Sequence, residues 1–401
     1  MSQTEVQLIK NGAVVDADIN GMSSSKLSGA LPAISGASLT NLPTPVGKVR
    51  NLIINGAMQV AQRGTSSTAN DSFSVDRFEN QYSGVDAGPT FAQVDVASGT
   101  SPYTNGFRKA LKITNANQSS GAGSNDMMAI VYKFEAQDIA NSGWNYLSNS
   151  SYITLSYWVK SSIAQNFYGR FQSNDGTSQN YPFEPGSLSA DTWTKITKTI
   201  PGNSNLQFDN DVNNGLFLEL STFRGTDKTG SIALDAWNAY GSGTTRTPDQ
   251  TSTWYTTNGA TFEITGVQLE VGSVATDFEH RSFHDEMQRC RRYYLRLIDG
   301  TQQAVANFTG FTATSGYSMI TAPVQMRATP SLVQSTGTNY YRALFVNGQT
   351  DFFDGFYAVW KAHKNIITIS VDGQNISHGP TASFFVNSNN ASASLAFSSE
   401  L

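Results

Sequence analysis

Four histidines and one cysteine are the side chains that could bind a metal ion or act as a nucleophile. His280 and His284 lie four positions apart, a spacing that places two imidazoles on one face of a helix. A catalytic zinc site also needs a third ligand and a general base, and the surrounding sequence supplies neither. His280 further precedes Ser282, which the pattern predicts as a helix N-cap. We therefore interpret both histidines as structural residues and predict no metal site.

Common nucleophile and phosphate-binding motifs are absent from the sequence. There is no GxSxG elbow for a catalytic serine. Cys290 falls on the apolar face of a predicted helix, where a buried and unreactive thiol is expected. Residues 225–231 (GTDKTGS) resemble a phosphate-binding loop, but Ser231 replaces the lysine that must follow the second glycine. We predict an ordinary loop at this position.

Paired carboxylates could hydrolyse a glycosidic bond, because two acidic groups far apart in sequence can face each other across a groove. The acidic residues considered for this role are Asp209, Asp211, Glu219 and Asp235. Their spacing is that of scattered turn and surface residues. A polysaccharide depolymerase is one alternative, but the long parallel β-helix repeat common in such enzymes is missing. We therefore predict that the protein is not an enzyme.

The segment between residues 224 and 259 is rich in glycine and threonine and carries several aromatic side chains. Exposed aromatic rings in the loops of a β-sandwich can stack on the apolar face of a sugar ring. The same rings can instead pin a loop to the sandwich beneath it. On the first interpretation the glycan-binding residues are Trp237, Tyr240, Trp254 and Tyr255.

The composition indicates which elements position these residues. Only 14% of the 401 residues are charged, whereas 34 glycines, 12 prolines and 11% aromatic residues favour strands and turns over a helical bundle. The net charge of −5 gives no diffuse cationic field for nucleic acid or an anionic membrane. The single Cys290 excludes an intramolecular disulfide, and we expect synthesis in a reducing cytoplasm without membrane insertion.

Short β-type runs separated by turn dipeptides dominate residues 49–281. Asp175-Gly176 and Asn214-Gly215 are pairs that favour hairpin turns. Many strands without intervening helices indicate antiparallel sheets, and a segment of this length most naturally forms a jelly-roll β-sandwich. The predicted strands lie at residues 131–136, 152–160, 167–172, 193–200, 216–223 and 261–271.

A short linking helix is predicted over residues 282–299. Ser282 can cap it, Asp285 supplies the acidic residue three positions later, and Gly300 follows its end. Its basic residues form either ion pairs between subunits or a solvated face. We prefer the second interpretation. These residues are Arg289, Arg291 and Arg292.

The β pattern resumes after the helix, over residues 300–401, and predicts a second, small β-sandwich of normal domain size. Turn pairs at Asn347-Gly348 and Asp372-Gly373 separate its runs. The predicted strands lie at residues 317–322, 344–347, 356–361, 366–371 and 395–397.

The N-terminal residues 1–48 show no sustained periodicity and cannot form a core alone. A flexible linker is one interpretation of such a segment. Regularly spaced large aliphatic residues instead favour an extended strip ordered by packing against its own copies or another protein. These aliphatic residues are Leu27, Leu31, Ile34, Leu39 and Leu42.

Several residue strings, taken together and in order, carry a resemblance to a known family. Residues 51–64 (NLIINGAMQVAQRG) and 76–78 (DRF) open the predicted jelly roll, and residues 264–272 (ITGVQLEVG) and 275–281 (ATDFEHR) close it. Residues 286–294 (EMQRCRRYY) follow. The set resembles tail-fibre and related fibre proteins of tailed bacteriophages, including those of cyanophages and other marine phages.

The resemblance extends to both ends of the chain. Residues 26–43 (KLSGALPAISGASLTNLP) are similar to the attachment segment of phage fibres. Residues 326–330 (MRATP) and 395–401 (LAFSSEL) are similar to the small β-domain that ends them. In that family these strings bracket a jelly roll similar to carbohydrate-binding modules. None of them is a catalytic motif.

The resemblance implies a homotrimeric virion protein, made in the host cytoplasm and placed in the tail fibre. Its N-terminus would attach to a tail or other virion protein, and its β-domains would recognise host-surface polysaccharide for adsorption. The alternative is a structural fibre adaptor or head-decorating protein that binds no glycan. Sandwiches of this type often carry a structural calcium, and the sequence shows no compact ligand cluster that would locate one. We expect no cofactor, with an unlocated structural calcium as the alternative.

Overall fold

The computed structural model describes residues 50–241, 246–310, 312, 314–345, 348–372 and 383–401. The predicted turns at Asn347-Gly348 and Asp372-Gly373 each include one residue outside this part of the chain. The predicted attachment residues also lie outside the described residues; they are Leu27, Leu31, Ile34, Leu39 and Leu42.

Residues 50–281 form an antiparallel β-sandwich, here called the jelly-roll domain. Three helices of one turn interrupt it, α1 (Ser101–Thr104), α2 (Ala136–Ala140) and α3 (Thr253–Thr256). The strands are β1 (Ser66–Ser67), β2 (Ser72–Val75), β3 (Phe78–Ser83), β4 (Thr90–Asp95), β5 (Lys109–Thr114), β6 (Met127–Glu135), β7 (Tyr152–Ser161), β8 (Tyr168–Ser173), β9 (Gln179–Phe183), β10 (Thr194–Pro201), β11 (Asn214–Arg224), β12 (Asn238–Ala239) and β13 (Thr261–Val271).

Two sheets make up the sandwich. Sheet A has the order β1-β4-β5-β13-β7-β10, and sheet B has the order β12-β9-β8-β11-β6-β3-β2. Consecutive strands from β5 to β8 alternate between the sheets, which is the winding of a jelly roll. Apolar side chains from the inner face of each sheet share one core, including Leu216 and Leu218 of sheet B and Leu155 and Val159 of sheet A. The predicted all-β jelly-roll fold is thus confirmed.

Most turn and strand expectations agree with the structure in this domain. The six predicted strands correspond to β6, β7, β8, β10, β11 and β13. Asp175-Gly176 joins β8 to β9, with Gly176 at φ +61°. Asn214-Gly215 is not a hairpin turn, because it begins β11, where the register against β6 shifts by one residue. The strands β1 to β5, β9 and β12 are not predicted; β2, β3 and β4 hold few of the aliphatic residues that mark a buried strand.

The linking helix α4 (Phe283–Arg291) is shorter than predicted. Ser282 caps it as expected, with its Oγ accepting a hydrogen bond from the backbone N–H of Asp285 at 3.1 Å. The expectation that the helix continues to residue 299 is wrong, because Tyr294 begins a strand that pairs with the C-terminal strand at Ser398. Within the described residues, no helix is long and apolar enough to cross a bilayer.

Residues 294–401 form the C-terminal domain, a second sandwich with its own apolar core. Sheet C has the order β14-β23-β17, and sheet D has the order β19-β18-β22-β15-β16-β21-β20. The strands are β14 (Tyr294–Asp299), β15 (Ala304–Gly310), β16 (Ser315–Thr321), β17 (Ser331–Gln334), β18 (Tyr341–Phe345), β19 (Thr350–Phe353), β20 (Tyr357–Ala362), β21 (Ile366–Asp372), β22 (Ser383–Ser388) and β23 (Ser394–Ser398).

Buried ion pairs join the two domains. The guanidinium of Arg292 donates from Nε and Nη2 to the two carboxylate oxygens of Glu135, both at 2.7 Å. Tyr293 donates to the same carboxylate at 2.6 Å, and Arg77 of the jelly-roll domain pairs with Glu400. The preferred interpretation of Arg292 as part of a solvated face is therefore corrected, since its guanidinium is committed to the domain joint.

Candidate functional site

The site lies on the outer face of sheet B and follows from strand alternation. In β11, Leu216, Leu218 and Leu220 point into the core. Phe217 and Glu219 therefore occupy the opposite face of the same strand. The register pairs Glu219 with Arg170 and Phe217 with Gln172 of β8. Paired residues share a face, so four functional side chains form a patch across two neighbouring strands.

A buried charge cluster, Arg170–Glu219–Arg224, forms the floor of this patch. Arg170 donates from Nε and Nη2 to Oε2 of Glu219 at 3.0 and 2.9 Å. Arg224 donates from Nε to Oε1 of the same carboxylate at 2.7 Å and also pairs with Oε2. The three residues are 3%, 2% and 2% exposed, so their geometry is held by packing as well as by charge.

Opposing effects act on the ionisation of this carboxyl. Burial disfavours the charged form of Glu219, but the adjacent charges and hydrogen bonds of Arg170 and Arg224 outweigh it, and its pKa falls to about 2. The carboxylate is therefore ionised throughout the neutral range. The cluster carries two guanidinium charges against one carboxylate charge.

An open groove of about 260 Å³ lies over this floor. The ring of Phe217 packs under Arg170, whose Cζ lies 4.8 Å from the ring centroid. Tyr240 stands on the other side of the guanidinium, 5.9 Å away. Further walls are made by Lys133, Gln172 and Asn214. The groove thus combines aromatic rings with planar hydrogen-bonding groups.

Residues 246–250 lie over one end of the groove. Arg246 donates from Nε to the hydroxyl of Tyr240 at 3.1 Å, which fixes the orientation of both side chains. The backbone carbonyl of Arg246 accepts a bond from Nδ2 of Asn180 at 2.8 Å. Gln250 donates to Oγ of Ser221 on β11 at 3.1 Å. These bonds attach the loop to the outer face of sheet B.

Two groups along the groove have unused hydrogen-bonding capacity within the described residues. Nη1 of Arg224 contacts only the thioether sulfur of Met127, at 3.8 Å. Oδ1 of Asn214 is buried and accepts no bond. A thioether is a weak acceptor, so both a donor and an acceptor remain for a ligand.

The structure corrects part of the predicted glycan site. Trp254 and Tyr255 are fully buried in the core of the jelly-roll domain. Trp254 donates from Nε1 to the carbonyl of Thr261 at 2.9 Å, and Tyr255 donates to Asp126 at 3.0 Å. The prediction that these two rings stack on a sugar is wrong, because helix α3 turns both of them inward. They pin the loop, as the alternative interpretation held.

Trp237 and Tyr240 differ in their placement. The ring of Trp237 packs on Tyr181 with centroids 5.2 Å apart, and its Nε1 donates to the carbonyl of Pro201 at 2.7 Å. Its polar atom is therefore used by the protein, and the residue does not line the groove. Tyr240 does line it. Its role in glycan binding stays a prediction.

Sequence reasoning missed the charged floor of the groove. Glu219 was interpreted as one of several scattered surface acids, whereas the structure buries it between two arginines. The alternation of β11 carried a signal, since a glutamate flanked by leucines at 218 and 220 occupies the outer face of a strand. Nothing in the sequence showed that β8 is the neighbour that brings Arg170 opposite it.

The part of the chain that the structure describes contains no cluster of three or more histidine, cysteine, aspartate or glutamate side chains able to hold a metal ion. His280 instead packs on Phe107 and places its Nε2 2.9 Å from the carbonyl oxygen of Asn105. Cys290 is buried, and burial raises the pKa of its thiol well above its ordinary value.

No protein-family model and no curated protein matches this sequence. Among solved structures, a putative sugar-binding protein of Bacteroides thetaiotaomicron is 14% identical over 56% of this chain and 100% of its own, with a TM-score of 0.30. The family 11 carbohydrate-binding module of Clostridium thermocellum, in complex with a mixed-linked tetrasaccharide, is 10% identical over 53% of this chain and 98% of its own, with a TM-score of 0.25.

The enzymatically active domain of tailspike protein 4 from bacteriophage CBA120 is also similar, at 8% identity and a TM-score of 0.29. The match covers 55% of this chain and 21% of that chain, so this chain spans about a fifth of the tailspike domain. TM-scores of this size do not assign the chain to any of these families.

Proposed function

We propose that the protein binds glycan in the groove on the outer face of sheet B. The observation that carries the proposal is the combination of Phe217 and Tyr240 with the buried Arg170–Glu219–Arg224 floor in one open groove. A sugar ring presents an apolar face to an aromatic side chain and hydroxyls to planar polar groups. The groove offers both kinds of contact.

Rigid placement of these groups supports binding. Arg170 also donates to the side-chain oxygens of Gln172 at 2.6 Å and Asn180 at 3.3 Å, so its guanidinium is held from several sides. Side chains fixed before the ligand arrives lose little conformational entropy on binding. The floor therefore needs no rearrangement to meet a sugar.

We further propose that the protein is a virion fibre protein of a tailed phage. The residue strings that resemble phage fibres support this role, together with the aliphatic spacing of residues 1–48. That segment would attach to a tail or other virion protein, and the groove would bind host-surface polysaccharide. In a homotrimer, symmetry turns three weak glycan sites into one avid contact.

The glycan proposal is tested by binding full-length protein to an array of bacterial surface polysaccharides. We expect saturable binding that Tyr240→Ala weakens roughly tenfold, the loss of one well-placed contact. Tyr103→Ala is the matched control, since Tyr103 stacks on Arg108 away from the groove. Equal binding by the two variants would overturn the assignment of the groove.

The fibre proposal is tested on the host cell and in solution. We expect the folded protein to bind host cells, to block adsorption of the parent phage and to sediment as a trimer. Asparagine in place of Leu27, Leu31 and Ile34 should reduce the trimer while leaving the β-domains folded. A monomeric protein that neither binds cells nor blocks infection would argue against this role.

A second candidate function is that of a structural adaptor, and an apolar surface on sheet D favours it. Met319, Tyr357 and Ile366 are 74%, 60% and 48% exposed. The register pairs Met319 with Thr368 and Tyr357 with Ser370, residues two and four positions after Ile366 on β21, so all three share one face. Protein contacts often cover such a surface. If this function holds, Met319→Lys should disrupt assembly without changing glycan binding.

A further inference from the structure

We infer that the groove on sheet B takes an anionic glycan, a polysaccharide whose sugars carry carboxylate or sulfate groups. The inference rests on the proposed glycan-binding function and names its substrate class. Two observations carry it. Within the part of the chain that the structure describes, positive charge exceeds negative charge along the groove, and several arginine N–H groups there donate to no protein oxygen.

Positive charge exceeds negative charge along the described walls of the groove. Lys133 is neutralised by Glu79 of β3, at 2.9 Å. Arg170 and Arg224 share the single carboxylate of Glu219. Arg246 makes no ion pair within the described residues, and its neighbours at 242–245 (SGTT) include no acidic residue. The equivalent of two positive charges therefore remains without a counter-charge.

The uncompensated charges come from two arginines with N–H donors that no oxygen of the described residues accepts. Arg224 is almost fully buried, yet its Nη1 contacts only the sulfur of Met127. Arg246 uses Nε on Tyr240, and its two Nη groups make no hydrogen bond within the described part of the chain. A guanidinium fork matches the two oxygens of a carboxylate or sulfate, which an ammonium group or a neutral amide does less well.

Repulsion among these cations contributes to the lowered pKa values of two of the basic groups. Burial and the nearby charges of Arg224 and Arg246 lower the pKa of Arg170, which the charge of Glu219 only partly offsets. Burial and the same two arginines also lower the pKa of Lys228, which lies outside the groove lining. An anion bound among these groups would relieve the repulsion, whereas a neutral sugar would not.

A sugar fits the groove better than a nucleic acid, the other polyanion that stacks on aromatic rings. The volume of about 260 Å³ suits a short stretch of saccharide rather than a track for a backbone. The protein as a whole carries a net charge of −5, so the cationic character is local. A local patch meets only a few charged groups of a polymer, whereas nucleic-acid binding needs a cationic surface that follows the phosphate backbone.

The experiment is affinity electrophoresis of the full-length protein through gels that contain one defined polymer each. Polygalacturonate supplies carboxylates, dextran sulfate supplies sulfates, and dextran and mixed-linkage β-glucan are neutral. Arg246→Gln is the test variant, because Arg246 forms no ion pair within the described residues and its loss leaves the buried floor intact. Arg108→Gln is the control of equal charge change, since Arg108 is exposed and lies outside the groove.

We expect retardation by polygalacturonate, by dextran sulfate or by both, about tenfold weaker for Arg246→Gln and unchanged for Arg108→Gln. Raising the ionic strength from about 0.01 M to about 1 M, which shortens the Debye length from about 30 Å to about 3 Å, should weaken it further. A preference for one anionic polymer identifies whether a carboxylate or a sulfate occupies the groove.

Other outcomes overturn the inference and separate it from the proposed function. Binding only to a neutral polymer, lost in Tyr240→Ala, would leave a glycan site and refute its anionic preference. If Arg246→Gln and Arg108→Gln weakened retardation equally, binding would depend on the overall charge of the protein and not on the groove. A further gel contains polyuridylate, a single-stranded nucleic acid. Retardation in that gel but by none of the polysaccharides would refute both the inference and the glycan site. Binding to no polymer at all would count against both as well.

Discussion

Arg170 on β8 and Glu219 on β11 form an ion pair on the outer face of sheet B, with Nη2 and Oε2 2.9 Å apart. Both side chains are almost fully buried, and Arg224 completes the cluster from the end of β11. Taking charges out of water is costly, so such a cluster is stable only when every partner is in place. It follows that the floor of the groove is a fixed feature of the fold.

Glu219→Gln should destabilise the jelly-roll domain strongly at neutral pH. The variant leaves two buried guanidinium groups without their carboxylate, a loss of about 3–5 kcal/mol in the free energy of unfolding. Urea denaturation followed by tryptophan fluorescence measures this change. Asp95→Asn is the control, because Asp95 pairs with Lys109 on sheet A with both side chains exposed to solvent, where a pair is worth about 1 kcal/mol or less. Equal losses in the two variants would contradict the special role of the cluster.

The same residue predicts a pH dependence of stability. The pKa of Glu219 is lowered from 4.5 to about 2 in the folded protein, so the folded state favours the ionised form. Its contribution is therefore complete above about pH 4.5 and is lost as the pH falls toward about 2. We expect the difference in unfolding free energy between wild type and Glu219→Gln to shrink over this range. A difference that stays constant from pH 6 to acid would contradict the assignment.

Trp254→Ala should act on stability and not on the chemistry of glycan binding. The ring is fully buried and its Nε1 donates a hydrogen bond to the carbonyl of Thr261, so truncation loses this bond and leaves a cavity in the core. The expected loss is about 3–5 kcal/mol, the usual range for a buried tryptophan. Thermal unfolding measures it. Variant protein that remains folded should keep its affinity for glycan, and a selective loss of affinity would restore Trp254 to the binding site.

The strands that sequence reasoning identified share one property, which is continuous or alternating apolar character. Leu216 to Phe223 alternates leucine with other residues and became β11. By contrast, β3 reads FENQYS, and its polar residues, of which Glu79 and Asn80 are buried, conceal a strand that is paired along its whole length with β6. Local composition therefore predicts a strand whose side chains are selected to pack in the core. It does not predict a strand that is held mainly by backbone pairing with its neighbours.

The functional site was less predictable for a related reason. The aromatic residues of the segment 224–259 are equally visible in sequence, yet Trp254 faces the core and Tyr240 faces the groove. The one-turn helix α3 turns Trp254 inward, and four residues of helix leave little periodicity to read in the sequence. The pairing of Arg170 with Glu219 depends on strand order, since 49 positions separate them in the chain.

Gly169→Ala should destabilise sheet B, because the residue lies in β8 where no side chain fits. A Cβ at this position would approach the ring of Phe183 to 2.4 Å and Leu220 to 3.0 Å. Overpacking of a tight core typically costs about 1–3 kcal/mol. Gly241→Ala is the matched control, since a Cβ there meets none of the described residues within 4 Å and the change should stay within about 0.5 kcal/mol. Urea denaturation distinguishes the two, and similar midpoints would refute the predicted close packing.

Arg292→Gln should loosen the joint between the two domains. The guanidinium of Arg292 donates a hydrogen bond to each carboxylate oxygen of Glu135, and this carboxylate is inaccessible to solvent. Burial alone would raise the pKa of Glu135, but the bonds from Arg292 and Tyr293 outweigh it, and the pKa is lowered. Removing the guanidinium takes two hydrogen bonds from that carboxylate, at a loss of roughly 2 kcal/mol because Arg292 keeps some contact with water.

The loosened joint should be visible as faster proteolysis in the connecting residues 272–282 and as separate unfolding of the two domains. The effect should also fade toward acid pH, because the lowered pKa of Glu135 makes its contribution complete above its ordinary pKa and lost as the pH falls through the folded value. Arg289→Gln is the control, since Arg289 lies one turn earlier on α4 and makes no ion pair within the described residues. If Arg289→Gln sensitised the joint as much as Arg292→Gln, the ion pair with Glu135 could not be what couples the domains.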